Sequence, residues 1–92
     1  MFHLATNVCH MTTAHLIDQA IAQVVSEAVK SAGMTQRELS DATGMALVTL
    51  NRKLRGAASF NTLELASICL ALDVSLTDLA LRAERRALTP AA

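Results

Sequence analysis

Helix-start and helix-stop signals recur at short intervals along the chain, and they constrain its fold more than any other feature. Thr35 and Asn61 are each followed three residues later by a glutamate, which is the capping-box pattern of a helix N-terminus. Ser75 precedes Asp78 at the same spacing. Glycine ends helices well because it adopts the left-handed conformation without strain. Each of the three glycines ends a predicted helix: Gly33, Gly44 and Gly56.

The apolar pattern before Gly33 predicts a longer first helix. From Ala14 onward, apolar residues recur at the spacing of an amphipathic helix, with Thr13 as the expected N-cap and Ala32 near the end. The later helices are predicted from Thr35 to Gly44, from Ala46 or Leu47 to Arg55, from Asn61 to Leu72, and from Ser75 towards Ala87, before Pro90. No strand is predicted after Ala14. The expected fold class is therefore all-α with five helices.

Length and charge limit the kind of protein further. The 92 residues suffice for one small domain with a single core. Eight basic and eight acidic residues give zero net charge, which taken alone argues against a nucleic-acid partner because Lys and Arg drive phosphate binding. No secretory signal or membrane span is recognisable, so we expect a cytoplasmic protein that binds no membrane. In that compartment Cys9 and Cys69 are predicted to be free thiols.

Two of the short helices are joined by Gly44-Met45-Ala46, which has the length and the glycine of a helix-turn-helix turn. Leu39 and Ala42 are expected to form the buried side of the first helix, and Leu50 and Leu54 that of the second. The outward face of the second helix then carries Leu47, Val48, Asn51, Arg52 and Arg55. Six side chains are assigned to the core and to no chemistry: Met45, Leu50, Leu54, Phe60, Ile68 and Cys69.

This unit resembles the Cro/C1-type (XRE-like) helix-turn-helix regulators of phages and bacteria, in versions common in actinobacteria. The resemblance is carried by Thr35-Gln36-Arg37-Glu38-Leu39-Ser40, Gly44, Thr49-Leu50-Asn51-Arg52 and Arg55-Gly56, and it extends from about Leu16 to Leu81. It implies a five-helix, lambda-repressor-like DNA-binding domain. Such a domain places its third helix in the major groove of double-stranded operator DNA.

The resemblance also implies roles for individual residues. Gln36 matches the glutamine that binds a DNA phosphate and braces the recognition helix, and Arg37 beside it is a further candidate DNA contact. Arg52 matches a position that reaches a base or a phosphate, and Asn61 matches a segment that contacts the DNA backbone. Three residues match the positions that usually touch base edges: Ala46, Leu47 and Val48.

The sequence departs from the family pattern at these base-reading positions, where Ser, Thr or Gln is usual. Leu47 and Val48 cannot read donor–acceptor patterns, but they can contact thymine methyl groups. We therefore expect the polar side chains of the same helix to recognise bases through hydrogen bonds: Thr49, Asn51 and Arg52, with Arg52 binding guanine. Lys53 stands where the family often has an apolar residue, with Leu54 taking the core role, and we expect Lys53 to be free to reach phosphate.

The distribution of charge along the chain weakens the argument against a nucleic-acid partner that the zero net charge suggested. Between Asp41 and Glu64 the chain carries Arg52, Lys53 and Arg55 and no acidic residue. A basic face matters within a Debye length of about 8–10 Å, whatever the net charge. So few basic side chains predict weak binding by a monomer, and hence a homodimer on two half-sites.

Three segments are expected. Residues 1–13 form an N-terminal arm or extension, either disordered or a strand that embraces a dimer partner; residues 14–87 form the DNA-binding domain; residues 88–92 form a flexible tail. We expect the fifth helix to mediate dimerisation through Leu76, Leu79, Leu81 and Arg82–Arg86. A single domain favours a Cro-type repressor, which blocks polymerase by occupying its operator, over a two-domain lysogeny repressor.

Two alternatives stay open. The chain could be an antitoxin that represses its own operon and grips a toxin through the arm, or a protein-interaction module that uses Leu47 and Val48 as its surface. No phosphate-binding loop or nucleophile arrangement is present, so we expect neither an enzyme nor a cofactor or small-molecule substrate. Four potential ligands match no zinc spacing, and no metal site is predicted from them: His3, Cys9, His10 and His15.

Overall fold

The computed structural model describes the backbone from Phe2 to Leu88 and the side chains from His15 to Leu88. Five helices follow one another: α1 (Phe2–Ser31), α2 (Gln36–Thr43), α3 (Leu47–Leu54), α4 (Thr62–Leu72) and α5 (Leu76–Leu88). No strand occurs along this stretch of backbone, and the predicted all-α, five-helix fold is confirmed. No helix in the described range is long and apolar enough to cross a membrane.

The helix ends follow the predicted local signals. Thr35 Oγ1 accepts a hydrogen bond from the Glu38 N–H at 3.1 Å, while Glu38 Oε1 accepts one from the Thr35 N–H at 2.8 Å. Asn61 and Glu64 form the second capping box, with the corresponding bonds at 2.7 and 2.9 Å. Gly44 closes α2 in the left-handed conformation, at φ 76°. Both capping boxes are therefore confirmed.

The start of α1 differs from the prediction. The helix begins at Phe2 and runs past Thr13, so the predicted N-cap at Thr13 and the predicted strand in the arm are wrong. No glycine or proline occurs before Gly33, and a formed helix gains a hydrogen bond for each residue it adds. A good capping residue does not stop a helix that can continue through it. Residues 89–92 lie outside the described range, and the three-segment division stays a prediction.

The core lies where α1 and α5 pack along each other and α2 contacts α3 and α4. The largest fully buried side chains come from four helices: Val24, Val25, Leu39, Leu50 and Ile68. Burying each such aliphatic side chain contributes about 1.5–3 kcal/mol. Met45 and Phe60 pack against this core from the loops. Cys69 is a buried free thiol, as predicted, and burial raises its pKa. The side chain of Cys9 lies outside the described range.

Side chains of α2 hold the turn to α3. Ser40 Oγ donates to the Met45 carbonyl at 2.5 Å, and the Met45 N–H donates to Thr43 Oγ1 at 3.3 Å. The inner face of α2 is therefore formed by Leu39, Ser40 and Thr43. Ala42 is exposed, so its predicted burial is wrong.

The inner face of α5 packs against the core of its own chain. Leu79 and Ala83 are buried in the core, and Arg86 holds Glu27 of α1 through two hydrogen bonds of 2.7 and 2.9 Å. Arg86 lowers the pKa of the Glu27 carboxyl through these bonds. The expectation that Leu79 lies in a dimer interface is wrong, because its apolar surface is already covered by the core.

Candidate nucleic-acid interface

The outer side of α3 forms a shallow groove of about 290 Å³. It is lined by five of the predicted DNA-reading residues: Leu47, Val48, Asn51, Arg52 and Arg55. Val48 is 73% exposed, both arginines are exposed, and Leu47 and Asn51 are half-buried. Exposed Ala46 and Thr49 stand beside them. The structure thus brings the predicted residues of α3 to one surface that combines apolar side chains with two cations.

A hydrogen bond ties this surface to α2. Asn51 Nδ2 donates to Gln36 Oε1 at 2.8 Å, and Gln36 is the first residue of α2. The bracing contact implied for Gln36 is therefore present. The bond uses one donor of Asn51 and the oxygen of Gln36, which leaves the Asn51 oxygen and the Gln36 Nε2 for a partner.

Lys53 behaves differently from the prediction. Its Nζ lies 2.5 Å from Oε1 and 2.6 Å from Oε2 of Glu64, and only 15% and 18% of the two side chains are exposed. The bond from Lys53, together with the Asn61 N–H, lowers the pKa of the Glu64 carboxyl. The expectation that Lys53 is free to reach phosphate is wrong, because the loop after α3 brings the start of α4 against it. The basic face of α3 is thereby reduced to Arg52 and Arg55.

A second groove of about 290 Å³ lies between α1 and α3, at the start of α2. Its lining residues are Ser26, Val29, Lys30, Met34, Gln36, Leu54 and Arg55. Among the described side chains, neither Lys30 nor Arg55 has a carboxylate at ion-pair distance. Lys30 is a basic residue of this groove that the sequence motifs do not indicate. The sequence clue to Lys30 is its position in the last turn of α1, shortly before Gly33, where the helix ends, and before Gln36 at the start of α2.

The two capping boxes leave backbone donors open. In each box the cap and the third helical residue bond each other, so the N–H groups of the two residues between them have no partner within the box. These pairs are Gln36 and Arg37 in α2, and Thr62 and Leu63 in α4. Unpaired N–H groups at a helix start favour anions such as phosphate. Asn61 uses its side-chain oxygen for Glu64 and keeps its amide donors.

The possible metal ligands do not gather in the described part of the chain. No group of three or more His, Cys, Asp or Glu side chains that could hold an ion occurs among residues 15–88. His15 lies near Gln19, with 3.2 Å between its Nε2 and the Gln19 Nε2. The side chains of His3, Cys9 and His10 lie outside the described range.

Comparisons with known proteins bear on this surface. The sequence profile of the Cro/C1-type helix-turn-helix DNA-binding domain matches residues 25–82. The crystal structure of the clp gene regulator ClgR from Corynebacterium glutamicum is similar, with a TM-score of 0.71 and 29% sequence identity over 74% of this chain and 72% of that chain. No curated protein sequence matches significantly. The profile match includes α2, α3, α4 and both grooves.

Proposed function

Because this chain belongs to the Cro/C1-type helix-turn-helix DNA-binding family and is a DNA-binding transcription regulator, we propose that it acts as a Cro-like repressor. In this proposal α3 enters the major groove of a double-stranded operator and the bound protein blocks polymerase. The observation that carries it is the groove on α3, where apolar and cationic side chains face solvent beside the start of α2. The family resemblance noted in the sequence is confirmed by the profile match.

The base-reading surface is unusually apolar. Leu47 and Val48 contact thymine methyl groups, which only the major groove presents. Arg52 reads guanine through its O6 and N7 atoms, while Thr49 and the open oxygen of Asn51 supply further hydrogen bonds. Ala46, at the start of α3, is small enough to let the helix approach the base edges.

In the proposed complex, contacts to the DNA backbone surround this base-reading surface. Gln36 Nε2 and the open N–H groups of α2 bind one phosphate, with Arg37 beside them. Lys30 and Arg55 line the adjoining groove and add positive charge to the same strand. Asn61 at the start of α4 supplies a contact on the other side of α3. So few phosphate contacts predict that a monomer binds DNA with modest affinity and with strong salt dependence. We therefore propose that the protein works as a homodimer on two half-sites.

Titration of the protein against DNA from upstream of its own gene tests this function. We expect sequence-specific binding that weakens as salt rises. The Arg52→Ala variant should lose about 1–3 kcal/mol of discrimination at one base pair. Arg82→Ala, which removes an equal charge from α5, serves as the matched control and should keep full discrimination.

Two results would contradict the proposal. Equally weak binding to all DNA sequences would contradict the repressor function. It would favour a protein-interaction module that uses Leu47 and Val48 as its surface. Equal weakening of Arg52→Ala on every DNA would make Arg52 a phosphate contact and overturn its role as a base reader.

A further inference from the structure

The groove between α1 and α3, at the start of α2, combines polar and apolar side chains. Three of its lining side chains are polar and exposed: Lys30, Gln36 and Arg55. Three others are apolar and at least half-buried: Val29, Met34 and Leu54. We call this site the α1–α3 groove. Its volume of about 290 Å³ lies near the lower limit of small-molecule sites, roughly 300 Å³, and such sites also combine apolar walls with a few polar groups.

The cations of the α1–α3 groove are available to a ligand. Glu27 stands three residues before Lys30 on α1, a spacing that favours ion pairs on a helix. Arg86 of α5 instead holds the Glu27 carboxylate, through hydrogen bonds of 2.7 and 2.9 Å. Among the described side chains, neither Lys30 nor Arg55 has a carboxylate at ion-pair distance. The groove therefore presents two positive charges.

Gln36 adds a hydrogen-bond donor beside these cations. Its Oε1 accepts from Asn51 Nδ2 at 2.8 Å, which leaves its Nε2 for a partner. With the Lys30 ammonium and the Arg55 guanidinium, the groove offers three donor groups. A phosphate monoester matches this set, because it carries about −1.5 to −2 charge at neutral pH and three acceptor oxygens. A DNA phosphate, in contrast, is a diester with a single charge.

We propose that the α1–α3 groove binds a small molecule in which a phosphate monoester is joined to an apolar group, and that this ligand competes with DNA. The three polar side chains hold the phosphate, and the apolar group packs against the three apolar ones. The competition rests on the proposed function, in which Gln36 and Arg55 contact the DNA backbone. Arg55 lines both this groove and the groove on α3. The ligand therefore weakens DNA binding, and DNA weakens ligand binding by the same factor.

Titration with phenyl phosphate tests the ligand chemistry, because this probe joins a phosphate monoester to one apolar ring. We expect saturable shifts of the amide resonances of the full chain, concentrated at Lys30, Gln36 and Arg55. Inorganic phosphate has no ring to bury and should bind at least about fivefold more weakly. Diethyl phosphate keeps apolar groups but carries a single charge, and it should also bind at least about fivefold more weakly.

Two exposed cations provide matched variants. Lys30→Gln should raise the dissociation constant of phenyl phosphate about tenfold, because it removes one charged hydrogen bond. Arg52→Gln removes the same charge from the groove on α3, which is separate from the α1–α3 groove at this residue. The phenyl phosphate affinity of Arg52→Gln should stay unchanged. Circular dichroism verifies that both variants fold.

Competition with DNA tests the regulatory part. Phenyl phosphate should weaken DNA binding by the natural chain more than sodium sulfate does at equal ionic strength. Lys30→Gln should remove this difference, because the ligand no longer occupies the groove. Equal effects of the two salts on the natural chain would overturn the competition.

The outcomes separate the inference from the proposed function. Specific DNA binding without saturable phenyl phosphate binding would overturn the ligand site and leave the repressor function standing. Equal losses of phenyl phosphate affinity in Lys30→Gln and Arg52→Gln would also overturn the site, since they would indicate general attraction of anions to the basic face. Saturable binding in the groove by a chain that binds no specific DNA would support the ligand site while contradicting the repressor function.

Discussion

Lys53 Nζ lies within 2.6 Å of both carboxylate oxygens of Glu64, although the two residues belong to different helices. The same carboxylate accepts the Asn61 N–H that completes the capping box of α4. One half-buried ion pair therefore joins the end of the recognition helix to the start of α4. On the other side of α3, Asn51 makes a comparable link to the start of α2 through Gln36. Two side-chain bonds thus hold α3 between two helix N-termini.

The ion pair predicts a structural role for Lys53. The Lys53→Gln variant should lower the free energy of unfolding by about 1–2 kcal/mol, since a hydrogen bond to a charged group contributes about 1.5–3 kcal/mol and this one keeps some exposure. Lys53→Arg should retain most of the stability. Urea unfolding measures both.

The same variants separate stability from DNA contact. The slope of log affinity against log salt should stay unchanged in Lys53→Gln, whereas Arg55→Gln should reduce it by about one. A reduction of about one in Lys53→Gln would show that Lys53 leaves Glu64 and contacts phosphate in the complex.

Stability should depend on pH through Glu64. Its pKa is lowered from the usual 4.5 by the bond from Lys53 and by the Asn61 N–H. The unfolded chain therefore binds the proton more readily than the folded chain. The stabilisation is fully present above about pH 4.5 and is lost as pH falls through the lower folded-state pKa. Between neutral pH and about pH 3, the free energy of unfolding should fall less steeply in Glu64→Gln than in the natural chain; parallel curves would contradict this.

Gln36 should combine two separable roles. Gln36→Glu keeps an oxygen that accepts from Asn51, but it places a negative charge where a phosphate is proposed to bind. We expect near-natural stability and at least about tenfold weaker binding to every DNA sequence, equivalent to about 1.4 kcal/mol. Gln36→Ala loses the brace as well and should cost a further 0.5–1.5 kcal/mol or so in stability. Fluorescence titration with unfolding curves measures both effects, and unchanged affinity of Gln36→Glu would exclude the phosphate contact.

Apolar base reading predicts sensitivity to thymine methyl groups. Replacing a contacted thymine by uracil in the operator removes one methyl, and we expect a loss of about 0.8 kcal/mol in binding. The Val48→Ala variant should be insensitive to the replacement at its own base pair while staying sensitive at others. Methyl-independent binding of the natural chain at every thymine would exclude this mode of reading.

Much of the fold could be predicted from the sequence because its causes are local. A capping box uses atoms three residues apart, and a left-handed glycine depends on its own backbone, so Thr35, Asn61 and Gly44 act as they would in an isolated segment. The buried positions of Leu50 and Leu54 follow from helical spacing. The family motif also predicts that Gln36 lies beside the outer face of α3. The motif fixes the number of residues between Gln36 and α3, and the short turn between α2 and α3 then brings them together.

The tertiary structure decided which of these side chains stay available. Lys53 and Glu64 stand eleven residues apart, and the loop between them brings their charges together, which no local pattern encodes. Leu79 belongs to the core because α5 packs along α1, and Lys30 lines a groove because α3 packs against α1 near the start of α2. The predicted start of α1 at Thr13 is also wrong, since a capping residue marks where a helix can begin and not where it must. Helix boundaries are set by neighbours in sequence, whereas the free charges and exposed leucines of this protein are set by neighbours in space.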